Sequence, residues 1–211
     1  WRIEVKPHKL VTNAVHGASS RIVMQILHAG RYGYHPFSVS SVGKKSPINP
    51  FTPKALTSRG VEATIRDYVQ SAVLAREAGY DGVEVMGSEG YLINQFVSPQ
   101  VNIRDDEWGG SAEKRRRFAV EIVARMREAV GPDFIIIYRL SMLELVPEGL
   151  RWDEIVAQAK AIEAAGATII NTGIGWHEAR VPTIGTSVPR AAFASVTAKL
   201  KPYVRLPLVA T

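Results

Sequence analysis

A carboxylate and a phenol lie two residues apart at Glu89 and Tyr91, in a glycine-containing turn that follows the strand-like segment 81–86. A phenol with a pKa of about 10 stays protonated at neutral pH and can act as a general acid, and a nearby carboxylate can tune it. A turn at the end of a buried strand holds such groups rigidly. The pair predicts an enzyme, although the ring of a loop tyrosine can also serve only for packing.

Further polar side chains occur where other predicted strands end. Arg139 directly follows the apolar run 134–138, where a guanidinium is costly to bury unless an anion pairs with it. Glu84 and Glu89 are both candidates for that anion. A catalytic role and a purely structural role are both open for His177. The other polar residues of this group are Gln25, His28, Arg31, Trp176, Glu178 and Arg180.

The elements that must position these residues alternate between strand and helix. We predict strands over 21–27, 83–86, 134–138, 168–171 and 206–210, and helices over 62–78, 111–130, 152–165 and 191–200. This alternation predicts an α/β fold with a parallel sheet, and the repeated Ala-Gly helix ends at Gly79 and Gly166 favour a (β/α)8 TIM barrel. With about five strands, the barrel is expected to be incomplete. Two long loops, 30–59 and 88–110, are predicted to be functional.

Composition narrows the function classes. The 211 residues contain no Cys, and the histidines lack metal-ligand spacing, so no metal site is predicted. A formal net charge of +6 suits anionic small-molecule ligands. The basic run Lys114–Arg117 lacks interleaved aromatic residues and is interpreted as a solvated helix face, so nucleic-acid binding is not predicted. No apolar run is long enough to span a membrane. The absence of Cys suits a reducing compartment, and a cytoplasmic location is expected.

Several motifs, in a consistent order, resemble one enzyme family. That family is the Old Yellow Enzyme family of FMN-dependent NADH:flavin oxidoreductases. The resemblance lies in segments 23–31, 75–84, 90–96 and 104–110. Its bacterial 2,4-dienoyl-CoA reductase branch is the closest in segments 86–92, 135–142 and 169–180. The resemblance implies that residues 1–211 are the central part of one FMN-binding TIM-barrel domain, with the N-terminal and C-terminal barrel segments absent.

The resemblance also implies a cofactor and roles around it. FMN is expected across the barrel mouth, with NAD(P)H as the electron source. Gln25 resembles the side chain that hydrogen-bonds the flavin pyrimidine edge, and Arg139 resembles the cation beside flavin N1. Tyr91 resembles the proton donor, and His177 resembles its partner in the acid network.

The substrate that the resemblance implies is a 2,4-dienoyl-CoA, reduced by hydride from flavin N5 and a proton from Tyr91. His177, Arg180 and Glu89 correspond to substrate-binding positions. Enone-reducing members of the family carry a histidine, and a histidine or asparagine, at the places of Met86 and Glu89. This sequence therefore lacks the residues with which those members hydrogen-bond a substrate carbonyl group.

Other interpretations remain open. A single-domain ene-reductase or NADH oxidase of the same family would act on an enone or a similar small acceptor. A non-flavin TIM-barrel aldolase or isomerase would use Glu89, Tyr91 and Arg139 on a phosphorylated substrate. A non-catalytic barrel segment is a third alternative. The dienoyl-CoA branch further implies an FAD and a 4Fe-4S cluster in a longer protein, with ligands that are not in this chain.

Overall fold

The central feature of the computed structural model, which describes residues 2–210, is a five-stranded parallel sheet. Its strands follow one another in chain order, so each new strand is added at the same edge. They are β1 (Val23–Ile26), β4 (Gly82–Gly87), β5 (Ile135–Leu143), β6 (Ile169–Ile174) and β7 (Leu208–Ala210); a separate parallel pair consists of β2 (Val39–Ser40) and β3 (Lys54–Ala55). The predicted α/β class with a parallel sheet is therefore observed.

Six helices connect and cover the strands in the described part of the chain. They are α1 (Val5–Gly17), α2 (Ser58–Glu77), α3 (Leu92–Val97), α4 (Ala112–Val130), α5 (Trp152–Ala164) and α6 (Ala194–Leu200). The predicted start of α4 is confirmed, because the Ser111 hydroxyl accepts a hydrogen bond from the Lys114 backbone N–H. Its end at Gly131 is also confirmed, where φ is +80°. None of the helices described is long and apolar enough to cross a bilayer.

The core lies between the sheet and its helices. Side chains alternate along each strand, and in β4 and β5 the set that faces the helices is buried and mainly apolar, as Val83, Val85, Ile136 and Leu140 show. Ile65 of α2 and the phenyl ring of Phe118 in α4 are buried in the same core. The opposite set points to the inner side of the sheet and includes Gln25, Glu84, Arg139 and Asn171.

Several element boundaries differ from the sequence prediction. Strand β5 extends to Leu143, so Arg139 lies within the strand and not after it. The predicted loop 88–110 contains α3, and the loop 30–59 contains β2 and β3. Helix α1 was not predicted, and α6 starts three residues later than expected, at Ala194. Such short or terminal elements depend on tertiary contacts, for example the bond from the Thr12 hydroxyl to the Ala78 carbonyl oxygen at 2.7 Å.

The interpretation of Lys114–Arg117 as a solvated face is wrong for one residue. Arg115 is buried, and its guanidinium donates to the Val97 carbonyl oxygen at 2.9 Å and pairs with Glu154 at 2.6 Å. Arg117 lies 4.7 Å from the Trp108 ring centroid. Arg115 therefore joins α4 to α3 and α5, and only helical packing shows which cation of the run does so.

Candidate active site

The glycine turn after β4 is fixed by backbone geometry and close packing. Glu89 adopts a left-handed conformation with φ of +56°, which costs a non-glycine residue about 1–3 kcal/mol. Gly90 also has a positive φ, and a Cβ atom there would lie 2.7 Å from Trp176 Cε2 and 2.8 Å from the Tyr32 hydroxyl. The Gly90 backbone N–H donates to Asn94 Oδ1 at 2.9 Å. Glu89 and Tyr91 are therefore presented in a defined direction.

Arg139 pairs with Glu89. Its Nε and one terminal nitrogen both lie 2.9 Å from Glu89 Oε1, and both side chains are mostly buried. The alternative that the sequence left open, a pair with Glu84, is not formed. The buried guanidinium therefore has the anion it needs, and the pair links the inner face of β5 to the turn after β4.

Tyr91 and His177 are brought together by ring packing. Their ring centroids are 4.8 Å apart with an interplanar angle of 77°, and no hydrogen bond joins the two side chains within the described residues. Burial, and then the negative charge of Glu89, raise the pKa of the Tyr91 phenol above its ordinary value. The phenol is thus kept protonated, as a general acid requires.

A buried cluster around Glu178 supports these two rings. One carboxylate oxygen, Oε1, accepts from Arg31 at 2.6 Å, from the Tyr32 hydroxyl at 2.7 Å and from the Ser46 hydroxyl at 2.9 Å. The Tyr32 ring contacts His177 edge-on, with centroids 5.5 Å apart, and lies 6.2 Å from the Tyr91 ring in the same way. Burial and the carboxylate of Glu178 raise the pKa of Tyr32.

Tyr32 is a residue that sequence reasoning left unassigned. The aromatic content of loop 30–59 was the available signal, but it does not reveal which ring reaches the mouth. The sequence predicted that Glu178 and Arg31 lie at the barrel mouth, but it did not predict that they contact each other. The three residues form one unit because the loop folds across the ends of β4 and β6.

A second polar group lies on the inner face of the sheet. Glu84 accepts from the Gln25 side-chain nitrogen at 2.9 Å through Oε2, and from the Asn171 side-chain nitrogen at 2.6 Å through Oε1. Asn171 is the register partner of Arg139, so both belong to the same level of the sheet. Its carbonyl oxygen Oδ1 is buried and has no partner within residues 2–210. Asn171 was missed by the sequence analysis.

A cavity of about 470 Å³ opens beside the Arg139–Glu89 pair. Its wall is supplied mainly by the segment after β6, and includes Glu89, Arg139, Ile174, Trp176, His177, Ala179, Val181, Pro182, Thr183, Ile184 and Phe193. Arg180 belongs to the same segment but is exposed, and it makes no ion pair or hydrogen bond to the part of the chain that is described. Of the predicted site residues, Glu89, Arg139 and His177 thus border one cavity, with Tyr91 packed against His177.

Comparison with known proteins identifies the family. Residues 3–211 match the NADH:flavin oxidoreductase / NADH oxidase family. The chain belongs to this family. A metal reductase of Desulforamulus reducens is 36% identical over 95% of the chain, and an NADH oxidase of Thermoanaerobacter brockii is 39% identical over 82%. The chain spans 30% and 27% of the length of these two relatives.

Solved structures place the sheet within a known fold. A 2-naphthoyl-CoA reductase in complex with 2-naphthoyl-CoA superposes with a TM-score of 0.93 at 28% identity, covering 98% of this chain and 34% of that one. An Old Yellow Enzyme homologue from Zymomonas mobilis gives a TM-score of 0.81 at 24% identity, over 98% of this chain and 61% of that one. The predicted family and the TIM-barrel fold, with a five-stranded sheet within residues 2–210, are therefore confirmed.

The inner face suits the flavin that this family uses. An isoalloxazine ring carries carbonyl oxygens and an N–H group along one edge. Arg139 has five N–H donors, of which Glu89 engages two, so donors remain for a carbonyl oxygen. The unpartnered Asn171 Oδ1 supplies a buried acceptor that needs a donor. Gln25, Arg139 and Asn171 are the residues that would hold FMN.

Proposed function

We propose that this chain forms the flavin-binding and proton-donating part of an FMN-dependent reductase of conjugated carbon–carbon double bonds, acting on an acyl-CoA. The observation that carries the proposal is the Tyr91 phenol, whose pKa is raised and which lies against His177 and beside the cavity at Arg139. FMN, when bound, supplies the hydride for this chemistry, at its N5 atom. The chain's own residues supply binding, orientation and a proton.

Tyr91 is proposed to protonate a carbon of the reduced substrate. Its hydroxyl carries the proton at all pH values below its raised pKa, so the acid is available throughout the neutral range. His177, whose ring packs against the phenol, is proposed to orient it and to contact substrate. The buried Tyr32–Glu178 contact limits the movement of both rings.

Glu89 and Arg139 are proposed to have divided tasks. Arg139 provides a positive charge on the flavin side, where its spare N–H donors can bind an anionic edge. Glu89 occupies one face of the cavity, keeps Arg139 in place and raises the pKa of the Tyr91 acid. The carbonyl oxygen of a small enone is bound by hydrogen-bond donors, and a carboxylate at this position can only accept hydrogen bonds.

An acyl-CoA substrate is supported by three observations. Met86 and Glu89 differ from the donor pair of the enone reducers, the net charge of +6 suits the CoA phosphates, and a structural relative was solved with a CoA thioester. Arg180, exposed beside the cavity wall, is the proposed contact for the substrate's anionic part. NAD(P)H is the proposed electron source; an FAD and a 4Fe-4S cluster would belong to the remainder of a longer protein.

The test uses the full-length protein reconstituted with FMN. We expect flavin absorption bands that bleach with NADH or NADPH under anaerobic conditions. They should return on addition of 2,4-hexadienoyl-CoA, and return much more slowly with 2-cyclohexenone. Absence of flavin bands after reconstitution would overturn the proposal and favour a non-flavin aldolase or isomerase.

A second candidate is an NADH oxidase without a dedicated organic substrate. It is favoured by the 39% identity to the Thermoanaerobacter brockii NADH oxidase. Adding oxygenated buffer to the same anaerobically reduced protein, in place of the organic substrate, separates the two. Reoxidation by oxygen that is faster than reoxidation by any dienoyl-CoA or enone would support the oxidase.

A further inference from the structure

Glu84 is the one inner-face carboxylate of β4, and it binds two amide side chains from two different strands. Gln25 on β1 donates to one oxygen, and Asn171 on β6 donates to the other. The residues are 59 and 87 positions away in sequence. Both carboxylate oxygens of Glu84 are therefore engaged by side-chain amides, and among residues 2–210 neither is engaged by a cation.

An ionised carboxylate can only accept hydrogen bonds, so it determines which end of an amide faces it. The NH₂ groups of Gln25 and Asn171 must point at Glu84, and their carbonyl oxygens must point away from it. In Asn171 that oxygen is buried and unpartnered within the described residues. An unsatisfied buried acceptor carries a substantial energetic cost, which a ligand with an N–H donor would relieve.

We propose that Glu84 is a positioning residue that locks Gln25 and Asn171 with their carbonyl oxygens presented to the barrel interior, so that the site selects the N–H-bearing edge of a flavin. This inference rests on the proposed function. The inner wall then offers two acceptors from Gln25 and Asn171, and donors from Arg139, which is the register partner of Asn171. An imide edge carries one N–H group between two carbonyl groups, so an amide carbonyl oxygen of this wall can accept from the N–H group and Arg139 can donate to a carbonyl group.

A purely structural role for Glu84 is the alternative, because its contacts also tie β1 to β4 and β6. The two roles predict different ligand dependence. If Glu84 only holds the strands together, its substitution should weaken the binding of all flavins alike. If Glu84 orients the two amides, its substitution should weaken only the binding that depends on the flavin N3–H group. A flavin methylated at N3 lacks that hydrogen and separates the two roles.

The experiment titrates the flavin-free full-length protein with FMN and with 3-methyl-FMN, following quenching of flavin fluorescence. The unmodified protein should bind FMN about 10-fold or more tightly than 3-methyl-FMN, the scale of one lost hydrogen bond. In Glu84→Gln the amides can turn over, so FMN binding should weaken about 10-fold while 3-methyl-FMN binding changes less than about 3-fold. Glu128→Gln, an exposed change on α4, should alter neither.

Each other outcome has a defined meaning. Equal weakening of both flavins in Glu84→Gln would assign Glu84 a structural role and overturn the inference. Equal binding of both flavins by the unmodified protein would overturn it without any variant, and that comparison decides the matter if Glu84→Gln does not fold. Binding of neither flavin by the unmodified protein would overturn the proposed function and this inference together.

Discussion

The two faces of the parallel sheet have opposite chemistry although they are built from the same strands. On β5, Ile136, Tyr138 and Leu140 face the helices and are fully buried. Arg139, which alternates with them, faces inward and remains partly exposed. The inner face also carries Gln25, Glu84 and Asn171, so β1, β4, β5 and β6 each place a polar group there.

This difference separates stability from function. The helix-covered face is held by non-directional apolar burial, which tolerates no unpaired polar group. On the inner face the charged groups have specific partners, Arg139 with Glu89 and Glu84 with two amides. Substitutions on the two faces should therefore change different measurements.

The largest expected effect is on catalysis at the mouth above the inner face. Tyr91→Phe should lower turnover of a 2,4-dienoyl-CoA by roughly 10²–10⁴-fold, because the general acid is removed. Flavin affinity and the melting temperature should stay the same. Tyr34→Phe, which alters a phenol that is 77% exposed, is the matched control. Unchanged turnover in Tyr91→Phe would remove this residue from the proposed role.

The next effect is on stability at the helix-covered face. Ile136→Ala should lower the free energy of unfolding by about 2–5 kcal/mol, through lost burial and the cavity left behind. Urea denaturation measures this, and Ile103→Ala, at a side chain 74% exposed, serves as control. FMN affinity under native conditions should not change. A clear loss of FMN affinity in the folded variant would show that the two faces are coupled.

A smaller effect is expected on the pH profile. A general acid must be protonated, so activity should fall as pH rises through the Tyr91 pKa, which lies above the ordinary 10 of a phenol. Glu89→Gln removes the nearby negative charge that helps to raise this pKa. The alkaline limb of kcat/KM should therefore move to lower pH. A limb that stays in place would mean that burial alone sets the Tyr91 pKa.

The smallest expected effect is on the pH dependence of stability, and it concerns Glu144. This residue is a buried carboxylate in a core that is otherwise mainly apolar. Asn94 donates to it at 2.7 Å and the Leu150 backbone N–H at 2.9 Å, and burial raises its pKa. Because the pKa of Glu144 is raised in the folded state, the contribution of this carboxyl group to the free energy of unfolding is present at low pH. That contribution is lost as pH rises through the raised pKa.

Glu144→Gln should consequently gain stability relative to the unmodified protein as pH rises from 4 to 8, in urea titrations at each pH. Glu148→Gln, at an exposed carboxylate of the same loop, should show no such trend. A pH-independent difference between Glu144→Gln and the unmodified protein would contradict the assigned direction.

Much of the fold could be predicted from particular residues. The apolar run 134–138 and the glycine at 131 locate β5 and the end of α4, because strand burial and a left-handed helix end have strong local signatures. The short α3 and the terminal α1 were missed. Helices of this kind are stabilised by packing more than by their own sequences.

The candidate site could also be predicted only in part, because only some of its residues have a local sequence signal. Residue types and their positions after strands indicated Glu89, Tyr91, Arg139 and His177. Tyr32 and Asn171 were not singled out, because a loop tyrosine and a strand asparagine have no distinguishing local pattern. Their roles depend on the Glu178 and Glu84 carboxylates, which lie far away in the sequence.

The sequence by itself determined the family, the parallel α/β fold and the set of chemical groups available, because motif order and two-residue alternation are local properties. The tertiary structure decided the partners: Glu89 for Arg139, Glu178 for Tyr32, and Glu84 for Gln25 and Asn171. These partners are separated by 50 to 146 residues. Strand register and the crossing of loops over the mouth bring them within hydrogen-bond distance, and neither can be read from any single segment.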